Sequence, residues 1–89
     1  MNRPVFTREF ERDITRMKKR GKNLEKMKLL IEKLIAGTPL NPRFHDHGLT
    51  GSFKGRRECH VEPDWLLIYK PSGEEIILER TGSHSDLFE

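Results

Sequence analysis

Residues 56–81 read RRECHVEPDWLLIYKPSGEEIILERT, and the period of this stretch decides the fold. From Arg56 to Val61 the chain alternates, with Arg57, Cys59 and Val61 on one side and Arg56, Glu58 and His60 on the other, as a strand with one covered face requires. Trp65–Lys70 is almost continuously apolar, the pattern of a central strand. Pro71, Ser72 and Gly73 supply a turn, and Glu75–Thr81 makes a third strand. The connections are too short for crossovers, so the three strands are expected to be antiparallel neighbours.

Upstream the period becomes helical. Phe10, Ile14 and Met17 form one apolar stripe, with Thr7 as N-cap, Glu9 and Glu11 in the favourable first turns, and Lys18, Lys19 and Arg20 before Gly21, which can stop the helix. Asn23 can cap a second helix whose stripe is Leu24, Met27, Leu30, Ile31, Leu34 and Ile35, with Leu29 off its centre. Gly37 ends it, and Pro39 and Pro42 keep it from resuming. Residues 3–6 read as an edge strand. Residues 38–55 read as an ordered loop anchored by Phe44, Leu49 and Phe53 and carrying His45, Asp46 and His47. The tail after Gly82 holds His84, Asp86, Leu87 and Phe88, and a terminal Phe in so small a chain is expected to be pinned. The whole is an α+β fold, an N-terminal strand and a helical hairpin packed on a mainly antiparallel sheet, in one domain over residues 1–89.

A chain of 89 residues has one thin core, since it buries only roughly 60–65% of its unfolded surface. Hydrophobic and charged residues at 34% and 35% fit a soluble globular protein rather than a disordered one. No run approaches the length of a membrane span, and no apolar secretory segment opens the chain. Cys59 has no partner for an internal disulfide, so a cytoplasmic location is expected. The formal charge of +3 is modest, but its distribution is uneven: Arg16, Lys18, Lys19, Arg20, Lys22, Lys26 and Lys28 crowd one segment against Glu25 alone. Such a field attracts a polyanion.

The chemistry gathers in the second half. His47, His60 and His84 titrate near neutrality, and a sheet can bring them to one end. With Cys59 facing the core, His60 is left on the exposed side with Arg56; Asp64 could meet His60 across the intervening turn, or it could accept turn amides alone and leave His60 solvated. Imidazoles, a carboxylate and arginines are what metal-free RNA cleavage needs: a base for the 2′-hydroxyl, an acid for the departing 5′-oxygen, and cations for the phosphoryl oxygens. Trp65 reads equally well as a core residue or as a border of the site, and Tyr69 as structural. His45, Asp46 and His47 resemble a local chelating cluster, which His60, Asp64 and His84 could complete. No zinc-ligand spacing is present and the carboxylates are scattered, so neither a metal nor a cofactor is expected.

At these residues the chain resembles the YafQ-type toxins of bacterial type II toxin–antitoxin pairs, within the RelE-like ribonuclease superfamily. The similarity rests on Asp46-His47 followed by Leu49, on Gly51-Ser52-Phe53-Lys54-Gly55, on His60-Val61-Glu62-Pro63-Asp64-Trp65 and on Leu67-Ile68-Tyr69-Lys70. Glu79-Arg80-Thr81-Gly82-Ser83-His84 and Leu87-Phe88 complete it. The resemblance implies a small RelE-like fold and a ribosome-dependent endoribonuclease that cleaves messenger in the ribosomal A site. It implies His47, His60, Asp64 and His84 as catalytic residues, with His84 as general acid and His60 or His47 as base. Arg56, Trp65, Arg80 and Phe88 would contact substrate, and Lys18, Lys19, Arg20, Lys22, Lys26 and Lys54 the RNA backbone of the ribosome. It further implies a cognate antitoxin, a complex of higher order formed through that antitoxin, and no membrane partner. Two other readings remain open on the residues alone: a non-catalytic ribosome- or RNA-binding translation inhibitor, and a module whose basic helices serve an acidic protein segment.

Overall fold

The computed structural model describes residues 2–88. Strand β1 (Arg3–Phe6) leads into helices α1 (Arg8–Lys19) and α2 (Leu24–Ala36). A loop with two 3-10 turns, Pro42–Phe44 and Gly51–Phe53, carries the short strand β2 (His47–Gly48). Strands β3 (Arg57–Glu62), β4 (Trp65–Ser72) and β5 (Glu75–Gly82) follow, and helix α3 (His84–Phe88) comes after them. The sheet order is β1-β5-β4-β3-β2, with β1 parallel to β5 and every other pair antiparallel.

The helix ends follow from single side chains. The Thr7 hydroxyl accepts the Phe10 N–H (3.0 Å) and donates to the Glu79 carbonyl (2.9 Å), so one residue caps α1 and ties it to β5. Gly21, at φ 79°, closes α1 in a Schellman turn in which Lys22 N–H reaches the Met17 carbonyl (3.1 Å). Asn23 caps α2 through Glu25 N–H, and Gly37 ends it in the left-handed conformation. Asn2 bonds the carbonyls of Leu34 and Ile35, which holds the start of β1 against the end of α2.

Phe10 and Met17 of α1, and Met27, Leu30, Ile31 and Leu34 of α2, pack with Cys59, Val61, Trp65, Leu67, Tyr69, Ile76 and Leu78 of the sheet in one core. Leu66 and Ile68 are also fully buried but lie outside that cluster, on the second face of β4. The apolar run at 65–70 is therefore covered on both sides, as its composition requires.

Two expectations are corrected. The segment 38–55 contributes a fifth strand, β2, paired with β3 through His47↔Glu58 and Gly48↔Arg57. Two residues carry no readable alternation, so this pairing left no periodic signal. The β4–β5 turn is also tighter than Pro71-Ser72-Gly73. Pro71 pairs with Ile76, and the reversal falls on Gly73 and Glu74, with Gly73 at φ 59°. Beyond Tyr69 β4 has no β3 partner, so a proline there deprives no ladder of a donor. No described helix is long and apolar enough to cross a membrane.

Candidate active site

Strand β3 sends alternate side chains to opposite faces, and the face away from the helices carries Glu58 and His60. Glu58 is buried at 5% exposure, in a place where an unpaired carboxylate would be costly. Its Oε1 lies 3.4 Å from His60 Nε2 and 3.6 Å from His47 Nε2, because β2 brings His47 opposite it. One carboxylate oxygen thus stands between two imidazoles. The alternation that turned His60 outward also placed Glu58 beside it, two residues earlier. The one sequence signal for Glu58 is that alternation, which puts it on the face of His60.

His47 Nδ1 lies 2.6 Å from the His45 carbonyl. A carbonyl only accepts, so Nδ1 carries a proton and Nε2 is the nitrogen left free to receive one. His45 presents that carbonyl from a left-handed conformation (φ 50°), which is uncommon for a residue with a side chain. Its own ring packs edge-on against His60, with centroids 5.4 Å apart.

His84 arrives from the other end of the chain. Gly82 pairs with Leu66, so the residue two beyond Gly82 comes level with the residue two before Leu66, which is Asp64. Asp64 Oδ1 accepts the His84 backbone N–H (3.1 Å) and lies 3.6 Å from its Nδ1. Neither reading of Asp64 left open by the sequence is the one observed: Asp64 holds His84, and Glu58 serves His60. The rings of His60 and His84 are 6.4 Å apart. Phe88 packs on His84 (5.7 Å) and on Phe53 (5.3 Å), so the tail is pinned while 40% of Phe88 stays open to solvent.

Trp65 stands elsewhere. It is fully buried in the helix-side core, its indole N–H donating to Thr81 Oγ1 (2.8 Å) while the Thr81 hydroxyl donates to the Leu66 carbonyl (2.7 Å). A side chain with no exposed surface cannot line a substrate cleft, so its placing among the substrate contacts is corrected. Cys59 shares that core, where burial pushes its thiol up to about 12 and leaves it unreactive at neutral pH. Asp46 is no partner of the histidines. It accepts from the Tyr69 hydroxyl (2.7 Å) and lies 3.4 Å from Arg57 Nε, which anchors the loop to the core face. Among the described residues, no group of three or more His, Cys, Asp and Glu side chains is disposed to hold a metal ion.

The cations are more engaged than their number suggested. Arg56 Nε bonds Glu79 (2.6 Å). Arg80 bonds the buried carboxylate of Asp13 through Nε (2.7 Å) and Nη2 (3.2 Å). Asp13 also accepts from Thr81 N–H (3.0 Å) and Arg16 Nη2 (2.7 Å), at the edge of β5 that is freed where β1 stops. Arg56 and Arg80 are thus tethered by carboxylates, each with about a third of its side chain open to solvent. Three of the expected backbone contacts are also paired with acids. Arg20 is bonded to Asp86, and Lys22 and Lys26 flank Glu62 at 3.0 and 2.9 Å, drawing its carboxyl below the ordinary range. Lys18, Lys19 and Lys54 are exposed and make no ion pair among the described residues. Beside His60, a cavity of about 800 Å³ opens between α2, the Pro42–Phe44 turn and the end of β3, with Leu29, Phe44 and Val61 as apolar walls and Lys26, Arg43 and His47 among its polar ones.

The family described as the bacterial toxin of type II toxin–antitoxin systems, YafQ, matches residues 2–89. The mRNA interferase toxin YafQ of Escherichia coli strain K12 is 44% identical over 84 residues, which cover 93% of this chain and 91% of that protein. The crystal structure of YafQ from E. coli strain BL21(DE3) aligns at a TM-score of 0.95 and 40% identity, over 100% of both chains. A chain of the E. coli DinJ–YafQ complex aligns at 0.93 and 40%, again over 100% of both. Matched along nearly its whole length in sequence and in fold, the chain belongs to the YafQ toxins of bacterial type II toxin–antitoxin systems, with the RelE-like fold.

Proposed function

We propose that this protein is a ribosome-dependent endoribonuclease, an mRNA interferase that enters the A site of a translating ribosome, cuts the messenger there and so halts translation. One observation carries the reading: imidazoles from three separate segments meet on one side of the molecule. His47 and His60 share Glu58, and His84 lies 6.4 Å from His60 with Asp64 at its back.

The chemistry follows from what those groups can do. A neutral imidazole, His60 or His47, takes the proton of a 2′-hydroxyl. The 2′-oxygen attacks the adjacent phosphorus as the bond from phosphorus to the 5′-oxygen breaks, and protonated His84 supplies the proton that leaves with that oxygen. The products are a 2′,3′-cyclic phosphate and a 5′-hydroxyl. Glu58 lies where positive charge appears when either base takes its proton, and Asp64 orients the acid. Phe88, half open beside His84, offers a face to a base of the messenger. RNA supplies its own nucleophile, so the reaction needs no metal hydroxide, and DNA, without the 2′-hydroxyl, is not a substrate. Lys18, Lys19 and Lys54 face ribosomal RNA.

The relative solved with DinJ supports a cognate antitoxin for this chain. Through that partner the toxin joins a larger assembly. The site of action is the cytoplasm, where translating ribosomes are. Purified protein added to programmed ribosomes tests the reading. Cut messenger should carry cyclic or 3′-phosphate ends, with hexamminecobalt(III) replacing free magnesium. Arrested translation with intact messenger would replace this reading by a non-catalytic ribosome binder.

A further inference from the structure

Helix α3 is five residues long, far shorter than a helix that holds itself in water. It must be held from outside, and its ties are specific. Ser83 and Asp86 form a reciprocal cap: Asp86 Oδ2 accepts the Ser83 N–H (2.8 Å), and Ser83 Oγ accepts the Asp86 N–H (3.2 Å). The same carboxylate receives a two-pronged bond from α1, Arg20 Nη1 to Oδ2 (2.6 Å) and Nη2 to Oδ1 (3.0 Å). Arg16 stands one turn earlier between Asp86 and Asp13, its Nε 3.9 Å from Asp86 Oδ2 and its Nη2 2.7 Å from Asp13 Oδ1. Arg80, Asp13, Arg16, Asp86 and Arg20 therefore alternate in sign across the junction of β5, α1 and α3.

The fit is close. A Cβ at Gly82 would lie 2.8 Å from Asp86 Oδ2 and 2.9 Å from Asp86 Cβ, so α3 closes directly over the Gly82 backbone. The Asp86 side chain is 13% exposed, and the guanidinium of Arg20 holds its carboxyl well below the ordinary range. His84 lies two residues before Asp86 and Phe88 two after it. Whatever fixes Asp86 fixes both.

We propose that the Arg20–Asp86 ion pair is a positioning device for His84, by which helix α1 sets the place of that imidazole against His60. The proposal rests on the ribonuclease reading, and it moves Arg20 from an RNA contact to a support of the site. The two roles differ in sign. If Arg20 met RNA, removing it would weaken ribosome engagement, and removing the neighbouring acid Asp86 would strengthen it. As a clamp, both removals act in the same direction and on the chemical step.

The test is single-turnover cleavage on programmed ribosomes by wild type, Arg20→Gln, Asp86→Asn and the double variant, with toxin titrated to saturation. Each single change is expected to lower the saturated rate about 10–100-fold, as a displaced catalytic group does, with little change in half-saturation. The double variant should be no slower than the slower single, and Arg20→Lys should fall between wild type and Arg20→Gln. Opposite effects of the two single changes, additive losses, or unchanged saturated rates overturn the clamp. A parallel measurement is independent of cleavage. Amide exchange at His84, whose N–H bonds Asp64, should quicken in both single variants while exchange at Leu67 in the core stays as in wild type. If wild type cuts nothing, the ribonuclease reading fails, and His84 exchange alone decides the clamp: unchanged exchange in both variants overturns it.

Discussion

The two faces of the sheet are built from the same strands by different physics. On the helix-covered face Cys59, Val61, Trp65, Leu67, Tyr69, Ile76 and Leu78 pack with α1 and α2, and the one buried indole has its donor satisfied within the core. On the opposite face of β3, one residue away at each step, Glu58 is nearly as buried as Cys59 but carries a charge whose neighbours are imidazoles. The first arrangement lowers the free energy of the folded state. The second holds a carboxylate out of water, which a stability criterion alone would not select. The difference teaches where each residue's value should be read: in unfolding for one face, in cleavage for the other.

The comparison breaks most readily at its extremes. His84→Ala should lower messenger cleavage about 10²–10⁴-fold, the usual worth of a positioned proton transfer, and leave the thermal midpoint close to wild type because the ring is 60% exposed. Ribosome assays beside thermal melts check both halves, and a large drop in midpoint would show the tail to be part of the fold's stability after all. Leu67→Ala is the opposite case. Deleting this fully buried side chain should cost about 2–5 kcal/mol in denaturant unfolding, with cleavage per folded molecule unchanged.

Much of this division is legible in the sequence. The alternation at 56–61 assigned Cys59 and Val61 to the core and His60 to the other side, and the helical stripes named the residues that cover the sheet. Those signals are local, with periods of two residues or of a little under four. What escaped them is long-range. Asp13 meets Arg80 across 67 positions, Arg20 meets Asp86 across 66, and Lys22 meets Glu62 across 40. A basic run in a sequence shows charges but not the acids that neutralise them, and so the partners of Arg20, Lys22, Lys26, Arg56 and Arg80 do not show in it. The sequence offers Asp64 only the nearer imidazole, His60, because the pairing of Gly82 with Leu66, which brings His84 level with it, depends on register. Trp65 could be read either way, since an indole beside an apolar strand has the same composition whether its edge is wet or dry.

Glu58→Gln sharpens the comparison at the site itself. The amide keeps the shape and removes the buried charge, so the fold should be no less stable. Cleavage should fall roughly 10–100-fold, the range seen when a partner that orients a functional group is lost. Equal cleavage by Glu58→Gln at every pH would show that the carboxylate only fills space between the two rings.

Thr7→Ala makes the smallest change and the finest cut. Its hydroxyl accepts from Phe10 N–H and donates to the Glu79 carbonyl, so the loss should be about 1 kcal/mol of stability, typical of an N-cap. By location it belongs to the helix-covered half and should leave cleavage untouched. Yet Glu79 also carries the carboxylate that tethers Arg56 on the other side of the sheet. If the two faces are mechanically separate, only the unfolding midpoint moves. A cleavage rate that falls with it would mean that β5 passes strain from the cap of α1 to the tethered arginine, and the faces would then have to be treated as one unit.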